Sequence, residues 1–348
     1  ITKNYLLALE KGIGKEEKPL YPITIFKVKE DINYNKNDPN YDLLKLACKV
    51  DSEKQLIEFS FLDAEFNKTG YIASDKDSEI AYMGNSIRVY ENVVDKSKPT
   101  SIGRGNLSTV TINLPRLGLR FGKIRNETTD LKAFFEELDN KMEKAKEILL
   151  DRYEFQTDKR VYNFPFLVGQ GNWLDSEKLK PADRLRRINK HGTLSIGFVG
   201  LAECLTALEG KHHGESQGSQ EIGLEIVRHM REKVDEFTEK NNLNFVLYET
   251  HEKQVIEYFT SIDKSIYGKY KGITDKEEYT IGFALPEDYN IGTEDQLALE
   301  SEYHKLTNGG HMTTVELSSK NQGKPESFEK IVKQMKDMGI GLGKIIIK

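Results

Sequence analysis

Residues 82–119 read YMGNSIRVYENVVDKSKPTSIGRGNLSTVTINLPRLGL. Gly103 and Gly105, in GRGN, suit a tight return, because glycine tolerates backbone angles that other residues avoid. Asn85 offers only hydrogen bonds. Asn106, taken by itself, reads as a turn-stabilising asparagine. Arg88 and Arg104 suit either orienting the loop or meeting a phosphate, although solvated surface arginines are the commoner case.

Before this stretch, residues 20–62 read as apolar runs separated by polar turns: YPITIFKVKE, then NYNKNDPNYD, then LIEFSFLD. The middle run is dense in Asn, Asp and Pro and predicts a loop, while its β-branched and aromatic flanks predict strands. After it, Leu131, Phe134, Leu138, Met142, Ala145 and Leu149 recur on one stripe, which predicts a helix from Thr128 to about Tyr153. Asp, Glu and Lys fill its other side, the pattern of a surface helix packed on a core. TLSIGFVG (193–200) predicts a buried strand leading into a helix over 201–208, and 219–241 predicts another helix. LNFVLYET (243–250), HMTTVELS (311–318) and the terminal GKIIIK predict strands, with a helix over roughly 325–338 before the last. Strands alternating with long helices argue α/β, most simply with parallel strands joined by crossovers. With no repeat and no linker visible, one domain over 1–348 is the expectation.

Composition fits a soluble globular chain that can bury a sizeable core: 348 residues, 37% hydrophobic and 31% charged, with a formal net charge of -5. Both signs are interspersed, so no basic face points to nucleic acid. No apolar run approaches bilayer length and no signal-peptide pattern opens the chain, so a cytoplasmic location follows by default. Cys48 and Cys204 are the only cysteines. They form no disulfide framework and no CxxC pair, and both sit in apolar runs that suit buried structural thiols.

The quoted stretch resembles the cysteine-bearing loop of the anaerobic, glycyl-radical ribonucleotide reductases, in which MGCRTRV is followed by GRGN and TINLPR. The resemblance extends, in the family's order, over PLYPITIFKVKEDINYNKNDPNYDLLKLAC, FSFLDAEFN, FPFLVGQGNWLDSEKLKP, KHGTLSIGFVGLAECLTAL, GKHHGES, IDKSIYGKYKGITDKEEYT and YHKLTNGGHMTTVEL. It implies a glycyl-radical-enzyme-type α/β barrel of two half-barrels with a central finger loop, here about 83–106. It also implies truncation at both ends, without the ATP-cone or the zinc and glycyl-radical C-terminal region. The expected chemistry is reduction of ribonucleoside triphosphates by radicals. The family's glycyl radical is installed by a separate iron–sulfur/S-adenosylmethionine activase. No cofactor is expected in this chain. Nucleoside triphosphates, a homodimer and the activase are the partners implied, with neither nucleic acid nor membrane.

The departures matter as much. Asn85 stands at the family's radical cysteine, and an amide cannot hold a radical and exchange hydrogen with ribose carbon as a thiol does. The family's ATPAEG becomes ETHEKQ (249–254), keeping Thr250 and placing Lys253 at the family's glutamate. NSFHVP becomes IGFALP (281–286). The catalytic positions implied are therefore Asn85 (substituted) and Asn106, and the substrate-binding ones Arg88, Arg104, Thr250 and Lys253. Acidic residues beside Thr250 also serve as ordinary helix-dipole stabilisers, which weakens a phosphate site there. His212 and His213 are adjacent and lack a third ligand, so no metal is expected. Asp63, Glu203, Glu252 and Glu316 are available carboxylates, but no spacing pairs them. The expectation is an inactive reductase core. A nucleotide-binding or regulatory paralogue, and an inactivated and trimmed form, remain as alternatives.

Overall fold

A computed structural model describes residues 1–12, 21–84 and 86–348. The described chain divides into two compact units made of interleaved segments. Elements are numbered in chain order.

The first unit comprises residues 1–69, 292–304 and 312–348. It contains α1 (Thr2–Lys11), β1 (Thr24–Val28), α2 (Tyr41–Lys54), β2 (Ile57–Phe61), α3 (Glu65–Lys68), α10 (Thr293–His304), β8 (Thr313–Leu317), α11 (Pro325–Asp337) and β9 (Leu342–Ile347). Its sheet has the order β1-β2-β9-β8. β1 runs parallel to β2 and β8 parallel to β9, each pair bridged by one helix, α2 or α11, as expected for crossovers. The two βαβ pieces meet at the antiparallel pair β2–β9. Leu44, Ala47, Phe59, Phe328, Val332 and Ile345 share one buried core.

The two runs read as strands hold β1 and β2, and the helix between them was not read from the sequence. Asn33–Asn40 does turn, but the apolar LLKLACKV that follows lies within α2. Its buried residues include Leu44, Ala47, Cys48 and Asp51, spaced three and four apart as on one helix face.

Asp51 fixes the turn from α2 into β2. Gln55 ends the helix in the left-handed region at φ 53°. The Ile57 amide then donates to Asp51 Oδ1 at 2.9 Å, while Oδ2 has no hydrogen-bond partner among the described residues. Burial penalises the charged form and pushes the carboxyl up to about 7.

The second unit comprises residues 70–291 and 305–311. It contains β3 (Ala81–Tyr82), β4 (Arg88–Val89), β5 (Asn106–Asn113), α4 (Leu114–Phe121), α5 (Leu131–Thr157), α6 (Arg186–Asn189), β6 (Thr193–Val199), α7 (Leu201–Glu209), α8 (Gln217–Asn241), β7 (Asn244–Glu249) and α9 (Lys253–Tyr267). β5, β6 and β7 form a parallel sheet in that order, with helices α4 to α6 crossing from β5 to β6, and α7 and α8 from β6 to β7. One face presents Ile112, Leu194, Ile196, Phe198, Phe245 and Leu247, all buried, and helices α5 and α8 pack against the sheet. The α5 stripe read from sequence is the buried one, with Phe134, Leu138, Met142, Ala145 and Leu149 facing inward. Among the described residues no helix is long and apolar enough to cross a membrane.

The folded pKa of Asp51 exceeds its unfolded value of 3.8. Its stabilising contribution is therefore present in full below about pH 4 and lost as pH rises through about 7. The gap between 3.8 and about 7 corresponds to about 4 kcal/mol. Asp51→Asn keeps the acceptor for the Ile57 amide and removes the charge. Urea midpoints should fall for the wild type between pH 5 and pH 8 by more than for the variant, and equal slopes would refute this assignment.

Candidate functional site

The second face of the parallel sheet is polar, and the alternation of its strands makes it so. A bulge between Asn106 and Ser108 shifts the register, after which Thr109 pairs with Ser195 and Thr111 with Gly197. Successive side chains point to opposite faces. Asn106, Thr109 and Thr111 therefore line up beside Thr193, Ser195 and Gly197, with Tyr248 opposite Gly197 on β7. The pattern is legible in TLSIGFV once sought: small or polar residues at 193, 195 and 197 alternate with Leu194, Ile196 and Phe198.

The amide of Asn106 ties β5 to β6. Turned to suit all its neighbours, its nitrogen donates to Ser195 Oγ at 2.7 Å and Thr193 O at 3.1 Å, and its oxygen accepts from Thr109 Oγ1 at 2.9 Å. Beyond the end of β7, the Thr250 amide donates to Phe198 O at 3.2 Å. Its hydroxyl reaches back to Thr111 Oγ1 at 3.2 Å. That path crosses Gly197, where a Cβ would lie 2.1 Å from Thr250 Oγ1.

The expected finger loop, 83–106, closes at its neck, where the Asn106 amide donates to the Met83 sulfur at 3.1 Å. Asn85 lies outside the described residues. On either side of it the Met83 amide donates to Ile87 O at 2.8 Å, and the Arg88 amide to Gly309 O at 2.8 Å. Ile87 bridges to Gly310, which also bridges to Tyr248. Gly310 adopts φ 143°, and a Cβ there would stand 2.5 Å from Ser86 O. The NGG of residues 308–310 thus receives the loop, a role not read from the sequence.

Of the two loop arginines, Arg104 is committed to orienting the loop. Its Nε donates to His191 O at 2.8 Å, its Nη1 to Tyr90 O and Thr100 O at 3.2 Å, and its Nη2 to Glu91 O at 3.3 Å. Burial lowers its pKa to about 10. Arg88 is buried, stacks 3.8 Å over the Tyr90 ring and donates to Asn308 O at 3.2 Å. It lines a cavity of about 270 Å³ with Thr193, Arg231, Asp235 and Asn244. Asn92 bonds His191 Nδ1 at 3.1 Å, and Asn244 donates to Asn92 at 3.3 Å. These contacts anchor the loop where β6 and β7 begin.

Lys253, the first residue of α9, is exposed and pairs with Glu257 and Glu278, each at 3.6 Å. Beside it, His251 Nε2 lies 3.2 Å from Glu249 Oε2, and Tyr248 OH donates to Glu252 at 3.4 Å. Asn106 and Thr250 therefore share one sheet face, while Arg88 and Arg104 serve the loop and Lys253 stands at a helix start. Thr109, Thr111, Thr193 and Ser195 join the candidate set.

Cys48 is buried in α2 and Cys204 in α7, and burial pushes both thiols up. Among the described residues no three His, Cys, Asp or Glu converge to hold a metal ion. His213 bonds Phe283 O at 2.9 Å, and burial lowers its pKa to about 3. His304 accepts from the Gly341 amide at 3.0 Å and bonds Thr313 Oγ1 at 2.9 Å, as a scaffold residue does.

The family profile described as anaerobic ribonucleoside-triphosphate reductase matches residues 1–347. The enzyme of that name from Haemophilus influenzae is 29% identical over 304 residues, covering 86% of this chain and 41% of its own length. That from enterobacteria phage T4 is 30% identical over 324 residues, covering 91% and 50%. The chain thus spans about half the length of the curated relatives it matches. The crystal structure of the anaerobic ribonucleotide reductase from Thermotoga maritima in complex with dATP and CTP superposes at a TM-score of 0.65, with 14% identity, over 99% of this chain and 50% of that one. A glycyl radical enzyme from Archaeoglobus fulgidus superposes at 0.58 with 15% identity, over 94% and 47%. The fold class is the α/β fold of the glycyl radical enzymes, as the motifs implied.

Arg104→Lys cannot satisfy four carbonyls in one plane, so the loop should loosen and the protein lose about 2–3 kcal/mol. Hydrogen exchange should quicken over 83–106 while the α8 amides keep their protection. Unchanged exchange in the loop would show that the guanidinium does not hold it.

Proposed function

Because the chain belongs to the anaerobic ribonucleoside-triphosphate reductase family, we propose that residues 1–348 act as one reductase core domain that holds a ribonucleoside triphosphate without reducing it unaided. The observation that carries this reading is the polar row Asn106, Thr111, Ser195 and Thr250 on one sheet face. A face of hydroxyls and an amide offers both donors and acceptors, which is what a ribose with free hydroxyls requires. The start of α9, which no side chain caps and where Lys253 stands, favours the phosphates.

The missing step is hydrogen abstraction. Removing the ribose 3′-hydrogen needs a group that takes a hydrogen atom from carbon and later returns it. At position 85 the side chain is an amide, which forms hydrogen bonds but no such radical. Cys48 and Cys204 are fully buried within helices α2 and α7, as structural thiols are, and neither is offered as a substitute. The finger loop over 83–106 then positions the substrate instead of reacting with it. For the assembled family enzyme the same reading adds a second copy of the chain, the radical-installing activase and a cytoplasmic setting.

Calorimetric titration with ribonucleoside and deoxyribonucleoside triphosphates tests the reading. Binding should be saturable below millimolar ligand and favour the ribonucleotide. It should weaken about tenfold in Thr111→Val and in Asn106→Ala, which removes the amide while circular dichroism reports the fold. Absence of binding at millimolar ligand would end the proposal. Release of deoxyribonucleotide by the purified chain would end its second half.

A further inference from the structure

A second cleft of about 480 Å³ opens in the same unit, along the edge strand β5 and between α4, α5 and α9. Its volume lies in the range of small-molecule sites. Its walls divide by chemistry. Val110, Ile112 and Leu117 form one apolar side, and Phe259, Ile266 and Tyr267 of α9 form another. Arg116 and Arg120 of α4 face the same space as Lys141 and Lys144 of α5.

No carboxylate lines the cleft among the described residues. The acids that meet these cations lie behind them. Arg116 Nε contacts Asp263 at 2.6 Å, Arg120 and Lys141 share Glu137 at 2.7 and 3.0 Å, and Lys144 meets Glu147 at 2.9 Å. Four cations thus share three carboxylates. Arg116 Nη2 is buried and lacks a hydrogen-bond partner among the described residues. Leaving such a donor unmade is costly, and a phosphate oxygen is the acceptor that a guanidinium fork fits best.

We propose that this cleft binds a phosphorylated organic molecule of nucleotide size, with its phosphates among Arg116, Arg120, Lys141 and Lys144 and its apolar body against Phe259 and Ile266. The cleft shares Thr111 with the polar row, but its cations belong to α4 and α5 and its α9 wall lies outside that row, so it does not rest on the reading given to the row. Phosphate contacts supply most of the attraction and make it salt-sensitive, while the apolar walls distinguish the ligand from inorganic polyphosphate.

Titration of the full chain with ATP, tripolyphosphate and adenosine separates these contributions. ATP is expected to bind saturably, with tripolyphosphate at least tenfold weaker and adenosine weaker still. The double variant Lys141→Gln/Lys144→Gln, altered only at exposed positions of α5, should weaken ATP at least tenfold. Asn106→Ala should leave a cleft-bound ATP in place, and hydrogen-exchange protection on ATP addition should fall on 141–148 and 259–267. ATP binding that ignores the double variant but is lost in Asn106→Ala would assign all binding to the polar row and overturn the proposal. No ATP binding, or tripolyphosphate binding as tightly as ATP, would overturn it as well.

Discussion

Gly197 has no side chain, and the polar face of the parallel sheet is built around that fact. Thr250 crosses over it to reach Thr111, along a path where a Cβ would stand 2.1 Å from the threonine hydroxyl. Any larger residue would force Thr250 away from β5 and leave the chain after β7 to find another course. The same logic holds at the loop, where Gly310 adopts φ 143° and passes close under Ser86. Backbone approaches of this kind cannot be relieved by rotamer changes, so two glycines decide how near the loop and the post-β7 segment come to the sheet.

Charge is used in the opposite way at the base of the loop. Arg104 is buried and its acceptors are four backbone carbonyls, not carboxylates. A guanidinium spreads its donors in a fixed plane, so one side chain fixes four chain positions at once. Desolvation lowers its pKa, and the hydrogen bonds to the four carbonyls offset that cost. His191 links this clamp to the Asn92–Asn244 pair, so the loop is anchored to the first residues of β6 and β7 through polar groups whose partners are all internal.

What could be read from the sequence follows the periodicity of the buried faces. α5 and α8 carry clean apolar stripes, and β6 and β7 are short, wholly buried segments rich in β-branched and aromatic residues, so each was legible. α2 was not, because its inward face mixes Leu44 and Ala47 with Asp51 and Ser52. α10 was not either, since Leu297 shares its buried side with Glu300, Tyr303 and His304. In the site, Asn106 and Thr250 came from motif resemblance, whereas Ser195 was hidden in TLSIGFVG, read as a plain buried strand, and Thr111 lies in β5, a stretch not read as a strand at all. The acceptors of Arg104 have no sequence signature at all, because a backbone carbonyl is the same in every residue.

This division also bears on position 85. The described contacts that hold the loop come from Met83, Ile87, Arg88, Asn92 and Arg104. None of them requires a thiol, and all are hydrogen bonds or steric fits made by scaffold residues on either side. Loss of Arg104 or Gly310 would remove what positions the loop. Among the described residues the loop is thus held by side chains other than the one at position 85, so what positions the loop and what stands at that residue are separate questions of structure.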